Sequence, residues 1–323
     1  MQSDSSQSRP AGLPDRLVIA PEVTDALAAG RPVVALESTL ISHGLPYPQS
    51  VEVARAAELA VRRSGATPAT IGINGGRILV GLDEDQLVTL ATTQGVMKAA
   101  RPSLSLALAG GGWAATTVSA TMIAAAAAGI GVFATGGIGG VHRGALGVPG
   151  EAARPTLDIS SDLEELARTP VAVVCAGPKA ILDVPATLEY LETRGVPVVA
   201  IGTDEIPGFW SRGSGIPAPA SVPDVAAAAR LVATHRSLGL GSGLLLCVPV
   251  PEADAYPLAD ARAAVERAIA DASVAGIEGP ALTPWLLARI AEITEGGSVR
   301  ANVALIVNNA LVAGQLAVAL AGH

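Results

Sequence analysis

Lysine is nearly missing from this chain. Of its 21 basic residues only Lys98 and Lys179 are lysines, and the remaining nineteen are arginines. Arginine stays protonated, whereas a lysine amine can lose its proton and become a nucleophile. Arginine thus supplies the ordinary positive charge, and the two lysines are candidates for chemistry that arginine cannot perform. Aromatic residues are scarce too, with three Trp, three Tyr and two Phe, which leaves little material for base stacking or for a membrane belt. Excess positive charge is absent: the formal net charge of -8 argues against DNA, RNA or another polyanion as partner. The two cysteines, Cys175 and Cys247, lie in apolar, strand-like runs without CxxC or Cys/His spacing. They read as buried thiols of a reducing, cytoplasmic compartment.

The chain does have apolar mass, 50% of 323 residues, enough for a large α/β core. Residues 1–16 lack a basic head followed by an apolar core and read as a disordered tail, with one domain expected over 17–323. The apolar run 303–320 is interrupted by Asn308, Asn309 and Gln315. Without flanking basic and aromatic anchors it reads as a buried helix and not a membrane span.

The pattern turns around residues 158–182. Val171 to Ala176 is a compact apolar run, expected as a buried strand, and Gly177-Pro178 turns the chain so that Lys179 falls where a helix should begin. That places an amine at the carboxyl end of a strand, the edge of an open α/β sheet where ligands bind. The positive end of a helix dipole there would disfavour the ammonium form. Just upstream, Asp158, Ser160, Ser161 and Asp162 crowd carboxylates and hydroxyls together. A serine here can cap the Leu163 to Leu166 helix, and the surplus oxygens allow a hard divalent cation held by one carboxylate, waters and substrate.

Other strand exits carry polar groups. Glu37 ends the run Val33-Val34-Ala35-Leu36, either tied down by local donors or poised as a proton donor with a raised pKa. Lys98 is expected in a loop before a strand over Leu104 to Ala109. Gly110 to Gly112 precede an alanine-rich helix that begins near Thr116-Thr117. Ile130 to Thr135 runs into Gly136-Gly137-Ile138-Gly139-Gly140-Val141-His142-Arg143-Gly144, glycines that let backbone approach a ligand closely. No acidic strand end follows at the distance a dinucleotide fingerprint needs, so this reads as a different ligand loop. Arg212 among serines and glycines is a candidate phosphate cup. Asn302 and Asn309 share one face of the last helix, where amides on an apolar background need partners.

Six strings together resemble one family: Ala35-Leu-Glu-Ser-Thr39, His43-Gly-Leu-Pro-Tyr-Pro48, Ala134 to Gly144, Asp158-Ile-Ser-Ser-Asp162, Cys175-Ala-Gly-Pro-Lys179, and Asn302 to Ala310. In this order they are similar to the pseudouridine-5'-phosphate glycosidases, also known as indigoidine synthase A-like proteins. The resemblance implies a three-layer α/β/α sandwich around a mixed, mostly parallel sheet, assembled as a homotrimer. It implies reversible cleavage of the carbon-carbon glycosidic bond of pseudouridine 5'-phosphate to uracil and ribose 5-phosphate. It further implies that Lys179 forms an imine with the opened sugar, that Glu37 moves protons, and that Asp158 holds a manganese ion. By the same resemblance Lys98, Val118, His142, Ser160, Ser161, Asp162 and Asn302 contact substrate. Two rival readings of the residues alone are a pyridoxal-phosphate enzyme built on Lys179 and a sugar-phosphate-binding protein without chemistry.

Overall fold

The computed structural model describes residues 12–147, 155–277 and 282–322. The strands are β1 Leu17–Ile19, β2 Val33–Leu36, β3 Thr67–Asn74, β4 Arg77–Val80, β5 Met97–Ala99, β6 Ala114–Thr116, β7 Val132–Ala134, β8 Val141–His142, β9 Ala172–Cys175, β10 Leu182–Asp183, β11 Val198–Ile201, β12 Ala220–Val222 and β13 Leu244–Cys247. The helices are α1 Pro21–Ala28, α2 Gln49–Arg63, α3 Glu84–Thr92, α4 Leu104–Gly110, α5 Val118–Ala127, α6 Ser161–Leu166, α7 Val184–Thr193, α8 Val225–Ser237, α9 Leu258–Ala275, α10 Leu282–Ile293 and α11 Gly297–Ala321.

One large sheet runs β1-β4-β3-β2-β7-β9-β13-β11-β12, with β6 and β5 branching from β3, and β8 and β10 form a separate antiparallel pair. From β3 to β12 every neighbour is parallel, while β4 and β6 run antiparallel to β3. The expected mixed, mostly parallel sheet is therefore present. Its central strands β2, β9 and β13 are buried at every position, as strands covered by helices on both faces must be.

Side-chain alternation sorts these strands between two apolar layers. Val34, Leu36, Ala172, Val174, Leu244 and Leu246 pack with Ala57, Ala60 and Val61 of α2, Ala228, Ala229 and Val232 of α8, and Ala310, Ala313 and Leu316 of α11. Val33, Ala35, Val173, Cys175, Leu245 and Cys247 face the other way, toward residues of α1, α5, α6 and α7. Each fully buried valine or leucine contributes roughly 1.5–3 kcal/mol, so the paired layers hold the sheet from both sides. Alanine on the inner helix faces lets the helices approach closely. At the α2–α11 crossing a methyl on Gly314 would meet the Ser64 hydroxyl 2.0 Å away, so only glycine fits. By length and composition α11 could cross a bilayer, but Ala301, Leu305, Asn309, Ala313 and Leu316 are buried in the fold.

Asn74-Gly75-Gly76 closes the β3–β4 hairpin, and Asp83 caps α3 through a reciprocal capping box with Gln86. The expected serine cap is present: Ser160 caps α6, its hydroxyl accepting from the Asp162 amide at 3.2 Å. Other expectations need correction. Leu104 to Ala109 is not a strand but the helix α4, and Lys98 lies on β5 instead of in a loop. Leu104-Ser-Leu-Ala-Leu-Ala has good helix formers, and the 3-10 turn Arg101–Ser103 leads directly into it, so helix propensity wins over the apolar-run reading. The helix after Lys179 starts five residues later, at Val184, capped by Asp183. Lys179 thus sits in a turn and gains nothing from a helix dipole. Of the expected tail, residues 1–11 lie outside the described residues, and Pro14–Arg16 form a 3-10 turn. In the glycine- and proline-rich segment 144–156, residues 148–154 lie outside them as well.

Candidate active site

Strands β2, β7 and β9 are adjacent and parallel, so their carboxyl ends open on one edge. β2 delivers Glu37, β7 delivers Thr135, and β9 continues through Ala176-Gly177-Pro178 to Lys179. Residues about 140 positions apart in sequence are brought side by side by strand order alone, the geometry that places ligands at the carboxyl edge of open α/β sheets.

The turn carrying Lys179 is stitched to the loop after β7. The Ala176 N–H donates to the Gly136 carbonyl at 2.9 Å, Ile138 N–H to the Gly177 carbonyl at 3.2 Å, and Lys179 N–H to the Ile138 carbonyl at 3.2 Å. The glycines make this approach possible: a methyl at Gly137 would lie 2.8 Å from the Gly177 carbonyl oxygen, and one at Gly139 would lie 2.2 Å from the Ser160 hydroxyl. Asn309 on α11 closes the other side, its amide donating to the carbonyls of Thr135 at 2.9 Å and Gly136 at 3.3 Å.

Electrostatics tie the groups together. Burial pushes the Glu37 carboxyl above the ordinary carboxylate range, opposed first by the nearby Lys179 and then by a hydrogen bond from Thr135 Oγ1. Asp162 pushes it further up, and Lys98 draws it down. Lys98 is itself held below the ordinary amine range, by desolvation of its ammonium and then by Lys179, while Glu37 and Asp162 oppose the shift. Its side chain reaches the surface, so this desolvation belongs to the crowded walls of the mouth and not to a closed core. His43 is lowered as well, by burial and by Lys98. The edge therefore holds two amines and two carboxylates that feel one another. A partly buried acid whose pKa is raised beside an amine is suited to passing a proton.

Asp162 has an additional task. Its carboxylate accepts from the Ser119 N–H and the Gly139 N–H, each at 3.0 Å, and it is 6% exposed. It pins the start of α5, where Val118 lies, to the glycine loop, so both its oxygens are engaged. Ser161 Oγ lies 3.3 Å from Ser119 Oγ, and the fully buried Glu165 takes both arms of the Arg101 guanidinium. These contacts fasten α6 to the segment just after Lys98. Breaking such a pair costs about 3–5 kcal/mol when both ions are buried, and less here because Arg101 is half exposed.

His142, on β8, faces Asp158. Its N–H donates to the Asp158 carbonyl at 3.0 Å, and its Nδ1 lies 3.8 Å from Asp158 Oδ2. The Asp158 carboxylate is exposed and has no other charged partner among the described residues. No cluster of three or more His, Cys, Asp or Glu suited to a metal occurs among them. A single open carboxylate fits a hard cation that keeps most of its waters and takes other ligands from a substrate; it does not fit an all-protein cage.

Asn302 lies one turn before Ile306, whose side chain packs at Gly136, so it shares the helix stripe facing the site; among the described residues it makes no hydrogen bond. Arg212 donates from its guanidinium to the Val250 carbonyl at 3.0 Å and lines a depression with Glu205 and Tyr256 in which neither lysine takes part. Sequence reasoning missed Thr135, Ser119 and Glu165. Each acts through a partner at least 42 positions away, and no local spacing reveals such pairs.

A family model described as indigoidine synthase A like protein matches residues 22–319. A pseudouridine-5'-phosphate glycosidase of Methylobacterium nodulans is 56% identical over 306 residues, 95% of this chain and 88% of the relative. Another, of Solibacter usitatus, is 54% identical over 301 residues, 93% and 98% of the two chains. Among solved structures, the prealnumycin C-glycosynthase AlnA in complex with ribulose 5-phosphate superimposes with a TM-score of 0.85 at 42% identity, covering 95% of this chain and 97% of its own. An indigoidine synthase A-like protein of Thermotoga maritima does so with a TM-score of 0.81 at 35% identity, covering 94% and 96%.

Proposed function

The chain belongs to the indigoidine synthase A like family and is an enzyme, and from that premise we propose that it cleaves the carbon-carbon glycosidic bond of pseudouridine 5'-phosphate, reversibly, to uracil and ribose 5-phosphate. The observation that carries the reading is the Lys179 amine set against a half-buried Glu37 whose carboxyl is held above the ordinary carboxylate range. The relatives named for this substrate support it, as does a structural neighbour named a C-glycosynthase and complexed with a pentose phosphate.

A carbon-linked base has no bridging heteroatom to protonate, so the paired-carboxylate scheme of ordinary glycosidases does not apply. In the proposed route the Lys179 nitrogen bonds to the first sugar carbon, and the ring oxygen leaves that carbon as a hydroxyl, taking a proton from Glu37. The ammonium so formed gives a proton back to the Glu37 carboxylate, and the freed nitrogen lone pair forms the imine as the sugar–base bond breaks. The bond's electron pair goes to the base carbon, which takes up that proton. Hydrolysis of the imine returns the amine and frees ribose 5-phosphate. Arginine could not take this part.

Lys98, His142, Ser160, Ser161, Asn302 and the start of α5 at Val118 are the proposed substrate contacts, with Lys98 suited to the phosphate. Asp162 serves chiefly by holding two of these elements in place. Asp158 would hold a manganese ion, which when bound supplies positive charge to stabilise developing negative charge on substrate oxygens. The same reading makes the protein a cytoplasmic homotrimer.

The test is mass spectrometry after incubation with ribose 5-phosphate and borohydride. A pentose-phosphate adduct is expected on Lys179 and not in a Lys179→Arg variant. Ligand binding with no adduct in either protein would overturn the covalent route and leave a sugar-phosphate-binding protein.

A further inference from the structure

Cys175 and Cys247 have no part in the chemistry above, yet both lie beside the turn that bears Lys179. They end the adjacent parallel strands β9 and β13 and are register partners, with both side chains on the same sheet face and no exposed surface. The Gly177 N–H donates to Cys175 Sγ at 3.2 Å, and Cys175 Sγ lies 3.7 Å from the Gly177 carbonyl oxygen, a weak thiol donor contact. Cys247 stands beside it, its sulfur 4.0 Å from where a methyl on Gly177 would lie. The neighbouring Cys175 sulfur and burial hold the Cys247 thiol well above the ordinary range.

Gly177 adopts a left-handed conformation, φ +85°, and its carbonyl also accepts from Ile138. Its peptide groups are thus fixed from two directions, by the glycine loop on one side and by a sulfur on the other. Two residues later comes Lys179. A sulfur suits this place: it is large enough to fill the gap between strand and turn, it accepts a hydrogen bond, and it is tolerated in an apolar core.

We propose that Cys175, backed by Cys247, is a positioning residue for Lys179: its sulfur locks the Gly177 turn and thereby sets where the amine stands. The proposal deepens the reading of Lys179 as the attacking amine and rests on it for its kinetic consequence, while the positional claim has its own readout. Displacement of a reacting group by about 1 Å costs on the order of a hundredfold in rate, so even a partial release of the turn is measurable.

The test compares Cys175→Ala, Cys175→Ser and Cys247→Ala with the wild type. Because Lys98 and Lys179 are the chain's only lysines, limited amine acetylation read by mass spectrometry gives the reactivity of Lys179 against Lys98 as an internal standard. In Cys175→Ala the Lys179 to Lys98 labelling ratio should change at least threefold. Borohydride-trappable adduct formation should slow about tenfold or more, at unchanged affinity for ribose 5-phosphate. Serine, which keeps an acceptor for the Gly177 amide, should restore most of both. Cys247→Ala should give a smaller change of the same kind.

A labelling ratio and adduct rate unchanged in Cys175→Ala would overturn the proposal. So would equal losses in the alanine and serine variants that track thermal stability alone, the signature of lost packing. If wild type forms no adduct but the ratio still changes and serine restores it, the positional role stands and the imine route falls.

Discussion

Replacing Asp162 by asparagine keeps its shape and removes one acceptor. The wild-type carboxylate takes the Ser119 N–H with one oxygen and the Gly139 N–H with the other, both at 3.0 Å. An asparagine can satisfy one of these amides. Toward the second it presents its own N–H, so two donors face each other in a site that is 6% exposed. A hydrogen bond to a charged group is worth about 1.5–3 kcal/mol, and a buried amide left without a partner costs a further 1–3. Ser119 lies in the first turn of α5, so loss of the charge also removes about 0.3–1 kcal/mol of favourable dipole interaction. Allowing for relaxation, we expect a loss of about 3 kcal/mol. With an unfolding entropy of about 2.1 cal/mol/K per residue over this length, Tm should fall by about 4 °C. Thermal unfolding followed by calorimetry reads it directly, with Asp162→Glu as a second variant that retains charge but overfills the space. A Tm within 1 °C of wild type for Asp162→Asn would refute the reasoning, because it would mean that the two amides are not held by this carboxylate.

Gly137→Ala places a methyl 2.6 Å from the Phe209 ring and 2.8 Å from the Gly177 carbonyl oxygen. The ring can tilt, but the carbonyl belongs to the lysine turn, so turnover should drop at least tenfold while circular dichroism stays native; wild-type turnover would show that the loop and turn are not in register. For Glu37 the sign follows from a folded pKa raised above its ordinary 4.5. The favourable neutral form contributes fully below 4.5 and is lost as pH climbs through the raised value. Glu37→Gln removes this loss, so its Tm should gain on wild type as pH rises from 4 toward neutrality; a difference that is flat with pH would contradict a raised pKa for Glu37.

The site was legible in the sequence to the extent that it is made of strand exits. Glu37 and Lys179 each follow a short run of buried apolar residues, and both stand where that pattern puts them. Lys98 was singled out by rarity, and it stands on β5 within electrostatic reach of Lys179 and Glu37 instead of in the expected loop. The Leu104 run that follows it has apolar content common to strand and helix, and its good helix formers, entered from the Arg101–Ser103 turn, decided between them. The role of Asp162 was not legible. Its neighbours suggested a ligand cluster, yet its partners come from residues 119 and 139, which only the folded sheet brings near. The same holds for Asn309: its need for a partner was evident, but not that the partners would be the carbonyls at the β7 exit.

Both lysines of the chain converge on this one edge of the sheet, and the rest of the basic residues are arginines. An aldose phosphate in its open form is an aldehyde, and aldehydes condense with whatever unprotonated amines they meet. On a lysine-rich enzyme the sugar released at each turnover could attach at many places on the surface and slowly glycate its own maker. Here the side-chain amines are all gathered at the edge where the proposed route has the sugar condense, and an exterior that carries its positive charge on guanidinium groups offers the product little to react with.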